Sequence, residues 1–450
     1  MLFQAVSTDS VTQGVTATQR RGHRGEACQE LISKFEEIAQ KSPAPAWDDQ
    51  YRRFELLLRH DFHGEPRSAG ENARFFPKLR PLRDALLAYE SYKHETDSSW
   101  SFFSSLLPRI FRVACSTYDE PKPGHTLSPS QVASFLSNAF LLNAPGPLDF
   151  LSSGKDPLFV SGAKIAPQKV LCLLAYLDEA LEGLAEASDE RTISFERVSG
   201  PDWEQVEAPV VQQALHETVE LVVEGEARPD DADAVVIFCS AIFGGGAVEG
   251  LSATQEEISM LRYPEALLGL LFFTTPLLPR EVLLVRGTRR YSDTTGYAHT
   301  FAFAGRASSG RTTPVTLLGL DAARCPGPAQ FAPALVSREL TKAHAGFAAL
   351  GRSGAGCCET GLWGCEGTHR TPRPLLRCPL PAARWAHAAP YSSTLLFYTP
   401  PLHAHPAHPA SHGRRRRPRR IQRRAAGAAH AAAATRRGAR GRAAAARDPE

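Results

Sequence analysis

The stretch Val235–Ile258, VVIFCSAIFGGGAVEGLSATQEEI, decides how this chain folds. Its β-prone start over Val235 to Phe238 predicts a buried strand. The glycine triplet Gly244–Gly246 predicts a loop, because glycines tolerate backbone conformations that other residues avoid. Gln255, with the two acids that follow it, predicts the start of a helix. The order strand, glycine loop, helix indicates an α/β unit.

The same stretch carries groups suited to chemistry. Glycines leave backbone N–H groups free to approach a phosphate closely. The adjacent carboxylates Glu256 and Glu257 can serve acid catalysis and bind sugar hydroxyls. A carboxyl that donates a proton near neutral pH needs a raised pKa, from an apolar setting or from a neighbouring charge. A purely structural interpretation stays open, since acids at a helix start are favoured by the helix dipole alone.

Beyond about Arg191, short β-prone runs alternate with helical stretches, which predicts a mixed α/β domain layered around one sheet. The predicted strands are Thr192–Phe195, Val219–Val223, Val235–Phe238, Val282–Val285, Thr300–Phe303 and Val315–Leu318. The predicted helices in this part of the chain are Gln255–Leu270 and Pro333–Ala343.

The part of the chain before that domain is predicted to be helical. Apolar residues recur at helical spacing from Trp47 to about Cys115, over Gln131–Leu142 and over Pro167–Leu184. The domain prediction is a disordered leader (1–45), a helical accessory region (46–125), a catalytic α/β domain (126–400, its pattern degraded over 348–400) and a low-complexity tail (401–450). A transit peptide is the alternative for the leader.

The net charge of +3 belongs to the tail and not to the fold. Residues 401–450 hold 13 arginines and two acids, so the rest of the chain has 38 basic and 46 acidic residues. We therefore expect a disordered basic tail and no nucleic-acid groove in the body. Two hypotheses for the tail stay open with equal weight. Its cluster Arg414–Arg424 is a nuclear localisation patch or a nonspecific polyanion binder, or else a GC-rich gene is read out of frame or through an intron. The sequence contains no run of eighteen or more uncharged apolar residues, so we predict no membrane span.

The nine cysteines are odd in number and scattered, which favours a reducing compartment over a disulfide framework. Four of them cluster near His369 but lack the paired spacing of structural zinc sites. We therefore predict no metal and no cofactor. The chain is expected in the nucleus and/or the cytoplasm, as a monomer without a membrane or an obligate nucleic-acid partner.

Several motifs in one order resemble the poly(ADP-ribose) glycohydrolase family. The glycine triplet, followed after eight residues by Gln-Glu-Glu, is similar to that family's signature. The other segments that resemble it are Phe102–Pro108, Gln131–Phe140, Gly287–Thr288, Tyr291–Tyr297 and Arg338–Phe347. The likeness runs from about Ser101 to Phe347.

The resemblance implies a macrodomain-like, three-layer α/β/α core and metal-free hydrolysis of ribose–ribose O-glycosidic bonds in poly(ADP-ribose). It implies that Glu257 is the catalytic acid, that Glu256 holds ribose hydroxyls and that Gln255 helps to position the substrate. The loop Gly244–Gly246 would pass along the diphosphate, and Tyr297 would pack on the adenine. Poly(ADP-ribose) and proteins carrying it are the implied partners, and the response to DNA damage the implied setting.

Departures from the family pattern leave a second hypothesis open, a macrodomain that binds ADP-ribose or its polymer with impaired catalysis. Ile237 stands where the family has aspartate, and Ser240 where it has a ribose-contacting asparagine. Thr294 replaces a common tyrosine, Leu362 an asparagine, and Thr368 a pocket phenylalanine. A third hypothesis, an ordinary sugar glycosidase, requires two carboxyls on opposite sides of the sugar, which adjacent residues rarely supply.

Overall fold

The computed structural model describes a little over half of the chain. The described residues are 33, 46–60, 79–114, 126–144, 146–151, 153–185, 189–205, 220–222, 232–307, 313–323, 331–355, 357–360 and 375–379. All of them lie in the first of two compact units, residues 1–398, and none in the second, residues 399–450. The predictions for the basic tail, Leu362, Thr368 and, apart from Ser33, the leader fall outside the described residues.

Three helices and a π-helical turn form the first described part of the chain, as the apolar spacing predicts. They are α1 (Trp47–His60), α2 (Arg80–His94), the π-helical turn Phe102–Leu106 and α3 (Leu107–Ala114). Among the apolar residues that recur at helical spacing, Tyr51 and Phe54 of α1 are buried, and so are Leu82, Leu86 and Tyr89 of α2. They form an apolar stripe along each helix. Burial of these stripes, rather than helix propensity, stabilises such short helices.

Two further helices follow, α4 (Pro129–Phe140) and α5 (Ala166–Ala185). Ser128 begins α4 in a capping box, since its hydroxyl accepts from the Gln131 N–H while the Gln131 side chain accepts from the Ser128 N–H. The sequence predicts both helices to within two residues at each end.

Eight strands of the described residues form one mixed sheet at the centre. They are β1 (Thr126–Leu127), β2 (Ile193–Ser199), β3 (Glu220–Val222), β4 (Ala234–Cys239), β5 (Glu281–Thr288), β8 (Val315–Asp321), β9 (Cys357–Thr360) and β10 (Leu375–Pro379). Their order in the sheet is β1-β2-β5-β8-β4-β9-β10-β3. Strand β4 runs parallel to β8 and to β9, and the other described pairs in this sheet are antiparallel. A separate hairpin joins β6 (Ser292–Thr295) to β7 (Ala302–Arg306).

Helices cover the central sheet on both faces, which confirms the predicted α/β/α layering. Along β4, Val236 and Phe238 belong to one apolar cluster and Ile237 and Cys239 to another, as the two-residue period of a strand requires. The smaller cluster packs against α8 (Pro333–Arg352), and the larger one joins the opposite face to helices α1–α5. The prediction of a mixed α/β fold is therefore confirmed.

The helix predicted over Gln255–Leu270 is wrong in its extent. Helix α6 (Gln255–Arg262) ends at Tyr263, a 3₁₀ turn spans Pro264–Leu268, and α7 (Gly269–Phe272) completes the segment. Pro264 explains the break, because proline has no N–H for the helix ladder and disfavours helical backbone in the residue before it.

Two further boundaries differ from prediction. The strand predicted over Thr300–Phe303 begins only at Ala302, because a 3₁₀ turn occupies Ala298–Thr300. Helix α8 continues nine residues past Ala343, through Gly346, whose missing Cβ would lie 2.9 Å from the Leu318 side chain. Helix and sheet pack closely there because glycine has no side chain. In the part of the chain that is described, no helix is both long and apolar enough to cross a membrane.

Candidate active site

The two predicted acids lie in the first turn of α6, at the edge where the parallel strands β4 and β8 end. Ligands of α/β proteins bind at this edge. Glu257 occupies the third helical position and accepts from both the N–H and the hydroxyl of Thr254 through Oε2. The bond from the Thr254 N–H satisfies a backbone donor that a helix start leaves unpaired. Glu257 therefore helps to cap the N-terminus of its own helix.

The glycine loop wraps around this carboxyl pair. The Gly244 N–H donates to Glu256 Oε1 at 2.7 Å, and the Ser240 N–H donates to Glu256 Oε2 at 2.9 Å. The Gly246 N–H donates to Glu257 Oε1 at 2.9 Å. Two of the three glycine N–H groups thus bind protein carboxylates, whereas the sequence pattern predicts that they approach a phosphate.

This arrangement requires glycine in the loop. Gly244 has a φ of +109° and Gly245 a φ of +46°, conformations that other residues rarely adopt. A Cβ on Gly245 would lie 2.4 Å from Glu257 Oε1 and 2.8 Å from Glu256 Oε2. Both carboxyls therefore approach the same exposed backbone position from one side, so they do not flank a sugar as the carboxyls of ordinary glycosidases do.

The acids differ in their electrostatics. Glu256 is 2% exposed, and burial raises its pKa from 4.5 to about 8. The N–H groups of Ser240 and Gly244 oppose that rise, while the charge of Glu257 adds to it. Glu256 is therefore mainly protonated at pH 7 and can donate a hydrogen bond to an oxygen as well as accept one.

Gln255 points back into the sheet. Its Oε1 accepts from the Phe238 N–H and its Nε2 donates to the Val236 carbonyl, both at 2.8 Å. Strand β9 pairs with β4 only at Ala234 and Val235, so the Gln255 amide takes up strand hydrogen bonds just beyond that pairing. Both halves of the amide have a structural partner, and its predicted role in substrate positioning stays a prediction.

Tyr297 lies beside the start of α6, where it precedes the 3₁₀ turn Ala298–Thr300. Ala298 and Ala253 exchange two backbone hydrogen bonds, of 2.7 and 3.3 Å, and Ala253 directly precedes Thr254. The tyrosine loop is thus tied to the segment that carries the acids. Tyr297 itself is half-buried.

Lys169 of α5 is a residue of the site that the sequence analysis misses. Its side chain is 0% exposed, and Nζ donates to the carbonyls of Gly246 and Glu249 at 2.8 and 2.6 Å. The sequence contains a signal for it, since Lys169 shares its helix face with the buried Cys172 and Tyr176 at spacings of three and seven. A single charged residue on an otherwise apolar helix face indicates that its charged group is buried and has a hydrogen-bond partner there.

Three departures from the family pattern fall on described residues. Ile237 is fully buried in the larger apolar cluster, where its side chain packs with the core. Ser240 contacts Glu256 through its backbone N–H. The Thr294 hydroxyl accepts from Arg262 Nε at 2.8 Å, which ties β6 to α6.

A metal is not indicated by the residues that can be described. Among them, no group of three or more histidine, cysteine or acidic side chains has the geometry to bind a metal ion. The cysteine cluster extends into residues outside the described ranges.

One part of the chain matches a known protein family. Residues 201–375 match the family model described as poly(ADP-ribose) glycohydrolase, macro domain fold. The matched range includes the glycine triplet, the acid pair and Tyr297. These residues belong to the poly(ADP-ribose) glycohydrolase family. The predicted family and the macrodomain fold are both confirmed.

Two curated relatives from Arabidopsis thaliana share this family. Poly(ADP-ribose) glycohydrolase 1 is 28% identical over 205 residues, which are 42% of this chain and 35% of the relative. Probable poly(ADP-ribose) glycohydrolase 2 is 26% identical over 140 residues, 29% of this chain and 26% of the relative. The chain thus spans about a third or less of these relatives.

Proposed function

We propose that the protein hydrolyses ribose–ribose O-glycosidic bonds of poly(ADP-ribose) and releases ADP-ribose. The observation that carries the proposal is the pair Glu256 and Glu257, held by backbone N–H groups of the glycine loop at the edge where β4 and β8 end. Family membership supports glycosidase chemistry at this position. The substrate and its polymer-bearing proteins are part of the proposal.

In the proposed reaction, Glu257 acts as the general acid. Its carboxyl gives a proton to the leaving ribose oxygen while the glycosidic bond breaks and positive charge develops on the anomeric carbon. Water then attacks that carbon and loses a proton to the Glu257 carboxylate, which restores the starting state. Of the two acids Glu257 is the more accessible, at 8% exposed against 2% for Glu256.

Glu256 and the glycine loop would hold the ribose beside that acid. A Glu256 carboxyl that keeps its proton near pH 7 can donate a hydrogen bond to one ribose hydroxyl and accept from another. Gly245, which is exposed and lies beside both carboxyls, leaves space for the sugar. Tyr297 is proposed to stack on the adenine.

A second function, binding of ADP-ribose or its polymer without cleavage, has one observation in its favour. Both oxygens of Glu257 accept hydrogen bonds within the protein, from Gly246 and from Thr254. These bonds give Glu257 a structural role at the start of α6 that requires no catalysis.

The test is release of ADP-ribose from an automodified polymerase by the full chain, with Glu257→Gln as the variant. Glutamine preserves an oxygen acceptor for Thr254 but cannot give up a proton, so cleavage should fall at least about 100-fold. Glu196→Gln on β2, an exposed glutamate facing Arg286, is the matched control and should cleave at the wild-type rate. If the wild type and Glu257→Gln both retain the polymer and neither cuts it, the binding function replaces the enzyme.

A further inference from the structure

Lys169 is a fully buried cation directly beneath the glycine loop. It comes from α5, 77 residues before Gly246, and its two described acceptors are the carbonyls of Gly246 and Glu249. Within the described residues no carboxylate lies within ion-pair distance of its Nζ. The buried Lys342 offers a comparison, because it also binds two backbone carbonyls but pairs with Asp321.

A buried ammonium without a carboxylate partner is costly, since burial disfavours the charged form. Burial lowers the pKa of Lys169 to about 8, and the charges of Glu257 and then Glu249 are the main opposing influences. Cys172 and Asp156 face the ammonium with smaller effects of the same sign. Glu257, the proposed acid, is therefore the largest opposing charge that the buried ammonium meets.

The geometry connects Lys169 to Glu257 through a single residue. Lys169 holds the carbonyl of Gly246, and the N–H of Gly246 donates to Glu257 Oε1. Glycine has wide backbone freedom, and two donors fix the Gly246 carbonyl: the Glu249 N–H at 3.0 Å within the loop, and Lys169 Nζ at 2.8 Å from outside it. Leu158 adds a second contact further along the loop, because its N–H donates to the Val248 carbonyl at 3.2 Å.

We propose that Lys169 is a positioning residue for the reaction, because it fixes the Gly246 backbone so that its N–H orients the Glu257 carboxyl. The inference rests on the proposed glycohydrolase function. Removing Lys169 should lower kcat more than it raises KM, since the substrate still binds while the acid is misplaced. We expect a loss in kcat of about 10- to 100-fold, the range that small misplacements of catalytic groups produce.

The experiment uses the full chain with Lys169→Met and Lys169→Arg, and Lys342→Met as the control. Methionine keeps the length and apolar stem of lysine but removes its donors, whereas arginine keeps a charge and donors. Cleavage of automodified polymerase gives kcat and KM, thermal unfolding gives stability, and hydrogen–deuterium exchange follows the peptide covering residues 241–254. Lys169→Gln replaces the methionine variant if that variant does not fold.

If Lys169 positions the loop, Lys169→Met should exchange faster over residues 241–254, and its kcat should fall more than its KM rises. Lys169→Arg should recover at least part of the exchange protection and of kcat. Lys342→Met should lose stability without a change in kcat per folded molecule. Equal falls in kcat for Lys169→Met and Lys342→Met at matched stability would overturn the proposal, as would unchanged exchange. If the wild type does not cut the polymer, the proposed function fails, and the exchange measurement still decides whether Lys169 orders the loop.

Discussion

Replacement of Glu256 by glutamine should make the protein's stability less sensitive to alkali. The Glu256 pKa is raised by burial to about 8, whereas the unfolded chain has the ordinary value near 4.5. Between these values the folded protein keeps a proton that the unfolded chain has released. The folded state then binds more protons, so the stability that Glu256 contributes falls as the pH rises through this window. Below 4.5 and above about 8 its contribution is constant.

The magnitude follows from the width of the window. At 1.36 kcal/mol per pH unit, the difference between 4.5 and about 8 corresponds to a loss of up to about 5 kcal/mol. Glutamine does not titrate, so the Glu256→Gln variant lacks this loss. Its amide accepts from only one of the two N–H groups of Ser240 and Gly244, which costs about 1–3 kcal/mol at every pH. The test is therefore how the free energy of unfolding changes with pH in each protein, and not the difference between the two proteins at one pH.

Urea unfolding at intervals from pH 4.5 to 9 measures this dependence in the wild type and in Glu256→Gln. The free-energy difference between the two should change by several kcal/mol in favour of the variant as the pH rises. Glu204→Gln is the control, because the Ser337 hydroxyl lowers the pKa of the exposed Glu204 and its effect lies below the window. A difference for Glu256→Gln that stays within about 1 kcal/mol from pH 5 to 8.5 refutes the reasoning.

Three substitutions examine the rest of the site. Gly245→Ala should destabilise the protein by about 1–3 kcal/mol and reduce cleavage, because the new Cβ would meet both carboxyls at a positive φ; a variant with wild-type melting temperature and turnover contradicts this. Glu257→Ala should lose about 1 kcal/mol relative to Glu257→Gln, since only glutamine can still accept from Thr254; calorimetry that finds equal midpoints argues against the capping role. Gln255→Leu should cost about 2–5 kcal/mol by leaving two backbone groups of β4 unpaired. Denaturant unfolding measures that loss, and a change under about 1 kcal/mol is inconsistent with it.

Local patterns in the sequence predict most of the described fold. Alternating burial on β4, the serine cap of α4 and the apolar stripes of α1 and α2 are short-range signals, and each gives the observed element. Local patterns do not predict β1, β6, β9 and β10. The strands β1 and β6 are short, and β6 is polar. The strands β9 and β10 owe their place to pairing with strands that are distant in sequence, which no local pattern encodes.

The candidate site is predictable where its parts are neighbours in sequence. Gly244–Gly246 and the acid pair are about ten residues apart, so a strand–loop–helix prediction brings them together. The direction of the glycine N–H groups toward carboxylates, and the use of Gln255 as a strand partner, depend on tertiary geometry. Lys169 acts over 77 residues, and only the charge on an apolar helix face indicates it.

The larger apolar cluster, which joins the sheet to helices α1–α5, also limits how far this chain can be truncated. Residues 201–375, which match the family model, omit Lys169 and helices α1–α5. Those helices cover one face of the sheet, so a fragment with these bounds would expose that face to water and lose the cation beneath its glycine loop. Such a fragment is a candidate for aggregation rather than a minimal enzyme. Expression designs should therefore include α5 together with residues 201–375.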